Sequence, residues 1–421
     1  MISESGKTVA LIDPLWVGHH PLYFGLFAAA FLRAGAHVIG LCPDPEAARS
    51  ETRAMMPDED PAEIDARFHL SYLPPGKRSF FNGRFEGDPV RTFQRWKRAA
   101  DRLEQMEIVC QRSADFVFFP YLDSYLRFLP FSIIPDLFLN RPWSGLYLRN
   151  HHLAEKPSLR STLKRLLKGD PLLRSRFCTG LGVLDERIIP HLSAATGKRV
   201  ELYPDVTFSG LPDEPAELAK HVLELAAGRK IVGMIGLERR KGVVSLLKTA
   251  ELAHRKKLPL YFVCAGALHL SEFSPAEQAW LKRLSAASAN GKMNNLHFRI
   301  DAKRLPDEVT FNSLFSTFDI AWVAYENFQG SSGALGKAAA FEIPCVATAG
   351  ECIGHRVETY RMGLTLDSLT PENALYAIER LADGKNHPLI PDYAGYRAMH
   401  SQARLDELVH GALVSPPALH G

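Results

Sequence analysis

Three consecutive cationic residues, Arg239, Arg240 and Lys241, could bind a phosphate-bearing ligand. They lie between an apolar run that ends at Gly236 and a helical pattern that opens at Gly242. The first turn of a helix has N–H groups without partners inside the helix and carries the positive end of the helix dipole. Three cations beside such a turn make an anion site suited to a diphosphate. A solvent-exposed basic loop would have the same residues, and that alternative stays open.

A second segment combines one acid with a small, glycine-rich stretch. Glu326 follows an apolar strand pattern, and the sequence GSSG at 330–333 then leads into an alanine-rich helical run. Glycine lets a backbone approach a ligand closely, and Ser331 and Ser332 could bind an anion through their hydroxyl and N–H groups. The carboxylate of Glu326 could accept hydrogen bonds from sugar hydroxyls. An ordinary serine N-cap on a packed helix is the competing interpretation.

The first half of the chain contributes two adjacent histidine pairs. Gly18, His19 and His20 follow the first apolar run, and His151 and His152 follow a later one. His19 or His20 could contact a ligand or cap a helix, whereas His151 or His152 could bind a ligand hydroxyl or lie on the surface. Neighbouring residues on a strand point to opposite faces, so the pair His151 and His152 does not predict a metal site.

Short apolar runs alternate with helical patterns through both halves of the chain, which is the pattern of βαβ units and parallel sheets. We therefore expect an α/β fold with two Rossmann-like, doubly wound domains facing a cleft. Ligands of such sheets bind beyond the carboxyl ends of the strands. The predicted divisions are an N-terminal acceptor-side domain, a linker with a connecting helix, a C-terminal nucleotide-sugar-binding domain and a C-terminal helix packing back on the first domain: 1–205, 206–229, 230–390 and 391–421.

The two segments around residues 236–242 and 326–344 together resemble the C-terminal domain of retaining, GT-B-type glycosyltransferases, broadly glycosyltransferase family 4. The GSSG run is similar to a divergent bacterial branch of these enzymes. The resemblance implies that the following residues bind the donor diphosphate: Arg239, Arg240, Lys241, Gly242, Ser331, Ser332 and Gly333. It also implies that Glu326 and Gly330 bind the donor sugar and ribose, and that Gly266 and Ile300 contact the nucleotide base.

The resemblance extends to the first half. It implies that Gly18, His19 and His20 form an acceptor-side loop, and that His151 or His152 lies beside the transferred sugar and acts in catalysis together with Glu326. The chain departs from the family in three respects, one of which concerns its glutamates; in the others, Leu237 stands at the family's first phosphate-binding arginine and Glu342 replaces a glycine. The family has two glutamates eight residues apart, and the second position falls on Lys337 here.

The predicted function is transfer of a sugar from a nucleotide-diphosphate donor, UDP- or GDP-linked, to a hydroxyl acceptor such as a glycan, a lipid-linked glycan or a small molecule. Retention of configuration is implied by the resemblance alone, and no cofactor or metal is expected. Two alternatives stay open. One is a catalytically degenerate partner subunit that binds nucleotide-sugar or glycan, and the other is a nucleotide-sugar epimerase or hydrolase on the same fold.

Composition narrows the possible classes of function further. The net charge of +3 gives no global basic excess, so a dedicated nucleic-acid binder is not expected. The N-terminus lacks the pattern of a signal peptide, which predicts a cytoplasmic protein. The segment 156–176 is basic with leucines at helical spacing, and it predicts either peripheral contact with an anionic membrane or a helix whose leucine face is buried.

Overall fold

The computed structural model describes residues 6–75, 89–126, 132–149, 151–153, 158–167, 170–384 and 389–414. The chain divides into two compact units. The first comprises Met1–Pro204 with Gln402–Gly421, and the second comprises Asp205–Ser401. No helix in these described ranges is long and apolar enough to cross a membrane.

All strand pairings between the named strands are parallel. The strands are β1 Thr8–Ile12, β2 His37–Cys42, β3 Phe68–Tyr72, β4 Phe116–Phe119, β5 Trp143–Gly145, β6 Leu181–Val183, β7 Val200–Leu202, β8 Lys230–Ile235, β9 Leu260–Ala265, β10 Leu296–Phe298, β11 Ile320–Val323, β12 Cys345–Thr348 and β13 Gly363–Leu366.

Helices connect most of these strands, as parallel pairing requires. They are α1 His20–Arg33, α2 Pro45–Ala54, α3 Pro61–Arg67, α4 Pro89–Cys110, α5 Ile133–Phe138, α6 Leu159–Leu167, α7 Ile189–Thr196, α8 Glu217–Ala226, α9 Val243–Arg255, α10 Pro275–Ala289, α11 Glu308–Phe315, α12 Gly333–Ala340, α13 Cys352–Thr359, α14 Pro371–Ala382, α15 Tyr393–Met399 and α16 Gln402–Val414.

The first unit has a five-stranded sheet in the order β3-β2-β1-β4-β5 and a two-stranded sheet of β6 and β7. The order reverses direction at β1, which is the topological switch point of a doubly wound sheet. The last helix, α16, packs against α1 in this unit, and Arg33 donates two hydrogen bonds of 2.9 Å to the Asp406 carboxylate.

The second unit has a six-stranded sheet in the order β10-β9-β8-β11-β12-β13. Alternate residues of β8 enter different cores. Val232 and Met234 belong to one hydrophobic cluster, whereas Ile231 and Ile235 belong to another. Successive side chains of a strand point to opposite faces, so both faces of this sheet are buried under helices.

Helix α6 differs from the expectation of a buried leucine face. Its four leucines, Leu159, Leu163, Leu166 and Leu167, are all exposed to solvent. The interpretation of a helix packed through its leucines is therefore wrong.

Candidate functional site

The loop after β8 carries the basic triplet on a single turn of 3-10 helix, Arg239–Lys241. Gly236 ends the strand with φ +85°, and Gly242 adopts φ +76° before α9 begins. A Cβ atom on Gly242 would lie 2.3 Å from the carbonyl oxygen of Ala324, beyond the end of β11. Only glycine allows both the left-handed conformation and this close approach, so Gly242 brings the loops after β8 and β11 together.

The cations of this loop are paired with carboxylates. Arg240 Nε donates to Glu238 Oε2 at 2.6 Å, and Lys241 Nζ lies 3.1 Å from Glu238 Oε1. Arg239 Nη2 donates to Glu277 Oε1 at 2.9 Å. Burial alone would raise the pKa of Glu238, but the hydrogen bonds from Arg240 and Lys241 outweigh it and lower that pKa. The triplet belongs to a charged network, but Arg239 and Arg240 are exposed, so the alternative of a solvated basic loop stays open.

Glu326 connects this network to the loop after β11. Its N–H donates to the carbonyl oxygen of Arg240 at 2.7 Å, and its Oε1 accepts from Ser245 Oγ at 3.2 Å. Its Oε2 lies 3.6 Å from Arg239 Nη1. Because β8 and β11 are neighbours in the sheet, their carboxyl ends meet at one edge. The structure thus brings together the two segments that the sequence singled out.

A cavity of about 390 Å³ opens between these loops, and its lining has both charges. The lining residues are Glu238, Arg239, Arg240, Glu272, Glu326 and Asn327. Sequence reasoning missed Glu238, Glu272 and Glu277. Glu238 could have been found, because it directly precedes the triplet and an arginine or lysine two or three residues away is within reach. Glu272 and Glu277 come from the loop after β9 and from α10, and no local spacing indicates them.

The two serines of the GSSG run bind other side chains. Ser331 Oγ donates to Asp205 Oδ2 at 2.7 Å, and Ser332 Oγ donates to the buried hydroxyl of Tyr325 at 3.0 Å. Ser332 is the N-cap residue of α12, but its side chain makes no capping bond. The interpretation of an ordinary serine N-cap is wrong for this hydroxyl. The N–H groups of Gly333 and Ala334 precede the first backbone hydrogen bond of α12, which the N–H of Leu335 donates to the carbonyl oxygen of Ser332 at 3.0 Å.

The residues predicted to contact the base, Gly266 and Ile300, follow β9 and β10 at the same edge. Gly266 has φ +106°, and a Cβ atom there would lie 3.2 Å from the backbone N of Gly236. The turns after β8 and β9 therefore touch. Ile300 is half-buried against the core, and its N–H donates to Ser285 Oγ at 3.1 Å. Gly330 lies in the loop after β11, where a Cβ atom would be 3.1 Å from the ring of Phe328.

In the first unit, His20 forms a buried pair with a carboxylate. Its Nδ1 lies 2.8 Å from Oδ2 of Asp13, which follows β1 and is completely buried. The ring stacks on Tyr121, with centroids 4.0 Å apart. Burial raises the pKa of Asp13 from its ordinary value. His19 and Gly18 are exposed, and the His19 side chain makes no capping bond to α1, so the capping alternative is wrong for it.

His152 faces inward. It lies on a 3-10 helix, His151–Leu153, and its Nε2 is 3.2 Å from both the hydroxyl of Tyr147 and Oδ2 of Asp170. Tyr147 also donates to Asp170 at 3.2 Å. A surface position, the alternative left open for both histidines, is therefore wrong for His152. The side chain of His151 lies outside the described part of the structure. The histidines of this unit follow β1 and β5, and Glu326 belongs to the second unit.

No family model and no curated protein sequence matches this chain. Several solved structures do match it. HepE of Anabaena, solved in complexes that include UDP and UDP-glucose, has 13% identity, a TM-score of 0.63 and coverage of 97% of this chain and 100% of its own. Sucrose-phosphate synthase of Thermosynechococcus elongatus has 15% identity, a TM-score of 0.62 and coverage of 96% and 97%. WaaG, a glycosyltransferase involved in lipopolysaccharide biosynthesis, has 14% identity, a TM-score of 0.56 and coverage of 98% and 100%.

At these identities the likeness concerns the fold. It confirms the predicted fold class, an α/β protein with the two Rossmann-like units of GT-B glycosyltransferases. Membership of family 4 and the donor loop stay predictions.

Proposed function

We propose that this protein is a glycosyltransferase that takes its sugar from a nucleotide-diphosphate donor bound by the second unit. One observation carries the proposal. Glu326 binds the loop after β8 through its N–H and its carboxylate, so a mixed-charge cavity stands at the carboxyl edge of a doubly wound sheet. Ligands of such sheets bind at that edge. The GT-B fold of the whole chain supports the same function.

The donor diphosphate lies, in this proposal, against Arg239, Arg240 and Lys241. Its oxygens replace carboxylate partners of these cations, and they accept hydrogen bonds from N–H groups of the first turns of α9 and α12. Charge that develops on the leaving diphosphate is then stabilised by groups already held in position. Glu326 and the loop at Gly330 contact the sugar and ribose.

Further roles for the predicted residues belong to the same proposal. Gly242 and the GSSG run bring backbone to the phosphates, and Gly266 and Ile300 contact the base. UDP is the first candidate nucleotide, because HepE was solved with UDP and UDP-glucose, and GDP is the other candidate. Retention of configuration and a hexosyl donor stay proposals, as does the catalytic role of His151 or His152 beside the transferred sugar.

The acceptor side is proposed for the first unit, where Gly18, His19 and His20 follow β1. The acceptor would present a hydroxyl group, as on a glycan, a lipid-linked glycan or a small molecule. The domain limits derived from the sequence, at residues 205, 229 and 390, stay a proposal, as do a cytoplasmic location and contact of 156–176 with a membrane.

Thermal unfolding with a panel of UDP, GDP, ADP, TDP and CMP tests the donor site. A ligand that binds only the folded chain raises the midpoint. We expect one diphosphate to raise the midpoint of the wild type, and this shift to be lost in Lys241→Ala. Lys248→Ala is the matched control, because Lys248 is an exposed lysine further along α9. No shift with any nucleotide, or an equal shift in Lys241→Ala, contradicts the proposed site.

A degenerate, binding-only subunit is the second candidate, and one observation favours it. Lys337 occupies the position of the family's second glutamate, yet its ammonium group is buried and binds the carbonyl oxygen of Phe208 and the carboxylate of Glu308. The candidates are distinguished by measuring the release of UDP from UDP-glucose. The preparation should be one whose thermal midpoint is raised by UDP. Binding without release with any acceptor favours the degenerate subunit, and release without acceptor favours a hydrolase.

A further inference from the structure

Helix α6 presents an apolar stripe that no described part of the unit covers. The exposed fractions are 89% for Leu159, 53% for Leu163, 43% for Leu166 and 47% for Leu167. These residues are four, three and one positions apart, so they lie along one side of the helix. A helix of nine residues is marginal in water without packing of its apolar side. Among the residues that the structure describes, nothing buries this apolar side.

Helix α5 also exposes apolar side chains. It buries Ile134 in the core of the unit but exposes 53% of Ile133 and 62% of Leu137. Both helices pack against the same 3-10 helix, Asp170–Arg174. We call the exposed residues of the two helices the α5–α6 face: Ile133, Leu137, Leu159, Leu163, Leu166 and Leu167.

The sequence beside this face is predominantly basic, although one acid of α5, Asp136, lies 3.8 Å from Arg176 Nε. In sequence, the segment 156–176 has seven lysines and arginines and a single acid, whereas the whole chain has a net charge of only +3. The rest of the chain is therefore net negative. That single acid, Asp170, is buried and accepts a hydrogen bond from Tyr147. Its charge is turned inward, whereas Arg160 and Arg176 are exposed.

We infer that the α5–α6 face docks on an anionic membrane surface. Exposed leucines on one side of a helix, with cations around them, match the division between acyl chains and anionic headgroups at the interface. A polar protein partner would not bury the leucines. A neutral apolar partner would not pair with the cations. The inference extends the proposed membrane contact of 156–176 to α5, and it is independent of nucleotide binding.

Flotation of the full chain with vesicles tests the inference. Vesicles of phosphatidylglycerol and phosphatidylcholine in equal parts are compared with vesicles of phosphatidylcholine alone. We expect the protein to float with the first and to stay in the dense fraction with the second. Leu159→Ser/Leu163→Ser should lower the bound fraction by about tenfold or more, because two apolar side chains no longer enter the interface. Arg160→Glu/Arg165→Glu should remove binding to the anionic vesicles.

The matched control is Ile108→Ser/Val109→Ser, which alters two residues that are equally exposed, each 73%, at the far end of α4. It should float like the wild type. All variants change exposed or half-exposed side chains, so unchanged thermal midpoints verify their folding. Three results overturn the inference: no flotation of the wild type with anionic vesicles, equal flotation of the leucine variant, or a wild-type dimer in size-exclusion chromatography that the leucine variant converts to a monomer. The nucleotide panel is measured without vesicles. The proposed donor site and the proposed membrane contact can therefore be refuted independently.

Discussion

Replacing Gly242 by alanine should disrupt the contact between the loops after β8 and β11. The residue has φ +76°, and the new methyl group would lie 2.3 Å from the Ala324 carbonyl oxygen and 3.1 Å from Trp322 Nε1. That indole N–H donates to the carbonyl oxygen of Lys241 at 3.2 Å, so the clash acts on a hydrogen bond inside the turn. Both neighbours are held by the sheet, so the turn must move.

The free energy of unfolding falls through two effects. The left-handed conformation costs an alanine about 1–2 kcal/mol, and overpacking of a buried contact adds about 1–3 kcal/mol. Gly228→Ala isolates the second effect, because Gly228 has φ +79° in the same unit and nothing lies within 4 Å of its Cβ position. For a unit of this size, about 1–3 kcal/mol corresponds to a difference of about 2–12 °C between the two midpoints.

Calorimetric unfolding of both variants and the wild type measures this difference. We expect Gly242→Ala to unfold at a clearly lower temperature than Gly228→Ala, and to lose the stabilisation by UDP that Gly228→Ala retains. Equal midpoints would refute the reasoning, because the close approach to Ala324 would then have no energetic consequence.

Three other perturbations test the packing around the site. Burial lowers the pKa of His400 to about 3, so the unfolded chain takes up a proton first as the pH falls below the ordinary value of 6.5. Stability should therefore be lost between about pH 6.5 and 3, and acid unfolding of His400→Gln should show a shallower slope. Lys337→Glu, which places a glutamate at the family's second position, should lower the midpoint by several degrees because a buried carboxylate would face Glu308. Ser332→Ala should cost about 1–2 kcal/mol by removing a partner of the Tyr325 hydroxyl, and clearly less in a Tyr325→Phe background, as a double-mutant cycle would measure.

The alternation of apolar runs and helical patterns was enough to predict the two α/β units, because parallel strands buried on both faces are nearly continuous apolar runs. Strand limits were less accurate. The apolar run at 145–149, ahead of His151, has the pattern of a strand, but the structure has the strand at Trp143–Gly145, and Leu146 makes an isolated bridge to Gly182. Burial, rather than ladder pairing, accounts for the apolar residues that follow Gly145.

The positions of the candidate donor residues followed from the sequence, but their partners did not. Arg239–Lys241 and Glu326 were placed at strand ends, and adjacent strands bring those ends together. Glu272 and Glu277 reach Arg239 from 33 and 38 residues away, and no sequence period describes such contacts. The exposure of the α6 leucines was equally hidden, because amphipathic spacing alone does not say what covers the apolar side.

The carboxylates around Arg239, Arg240 and Lys241 also decide which anions can take their place. Inorganic phosphate would have to displace several ion pairs while offering only one phosphoryl group and no other contact. In the proposed binding mode, a nucleotide sugar would displace the same pairs but would add contacts of its base, ribose and sugar. Such a site, with counter-ions already in place, would discriminate against the abundant small anions of a cell. The glutamates would then contribute a selectivity that a cluster of cations alone would lack.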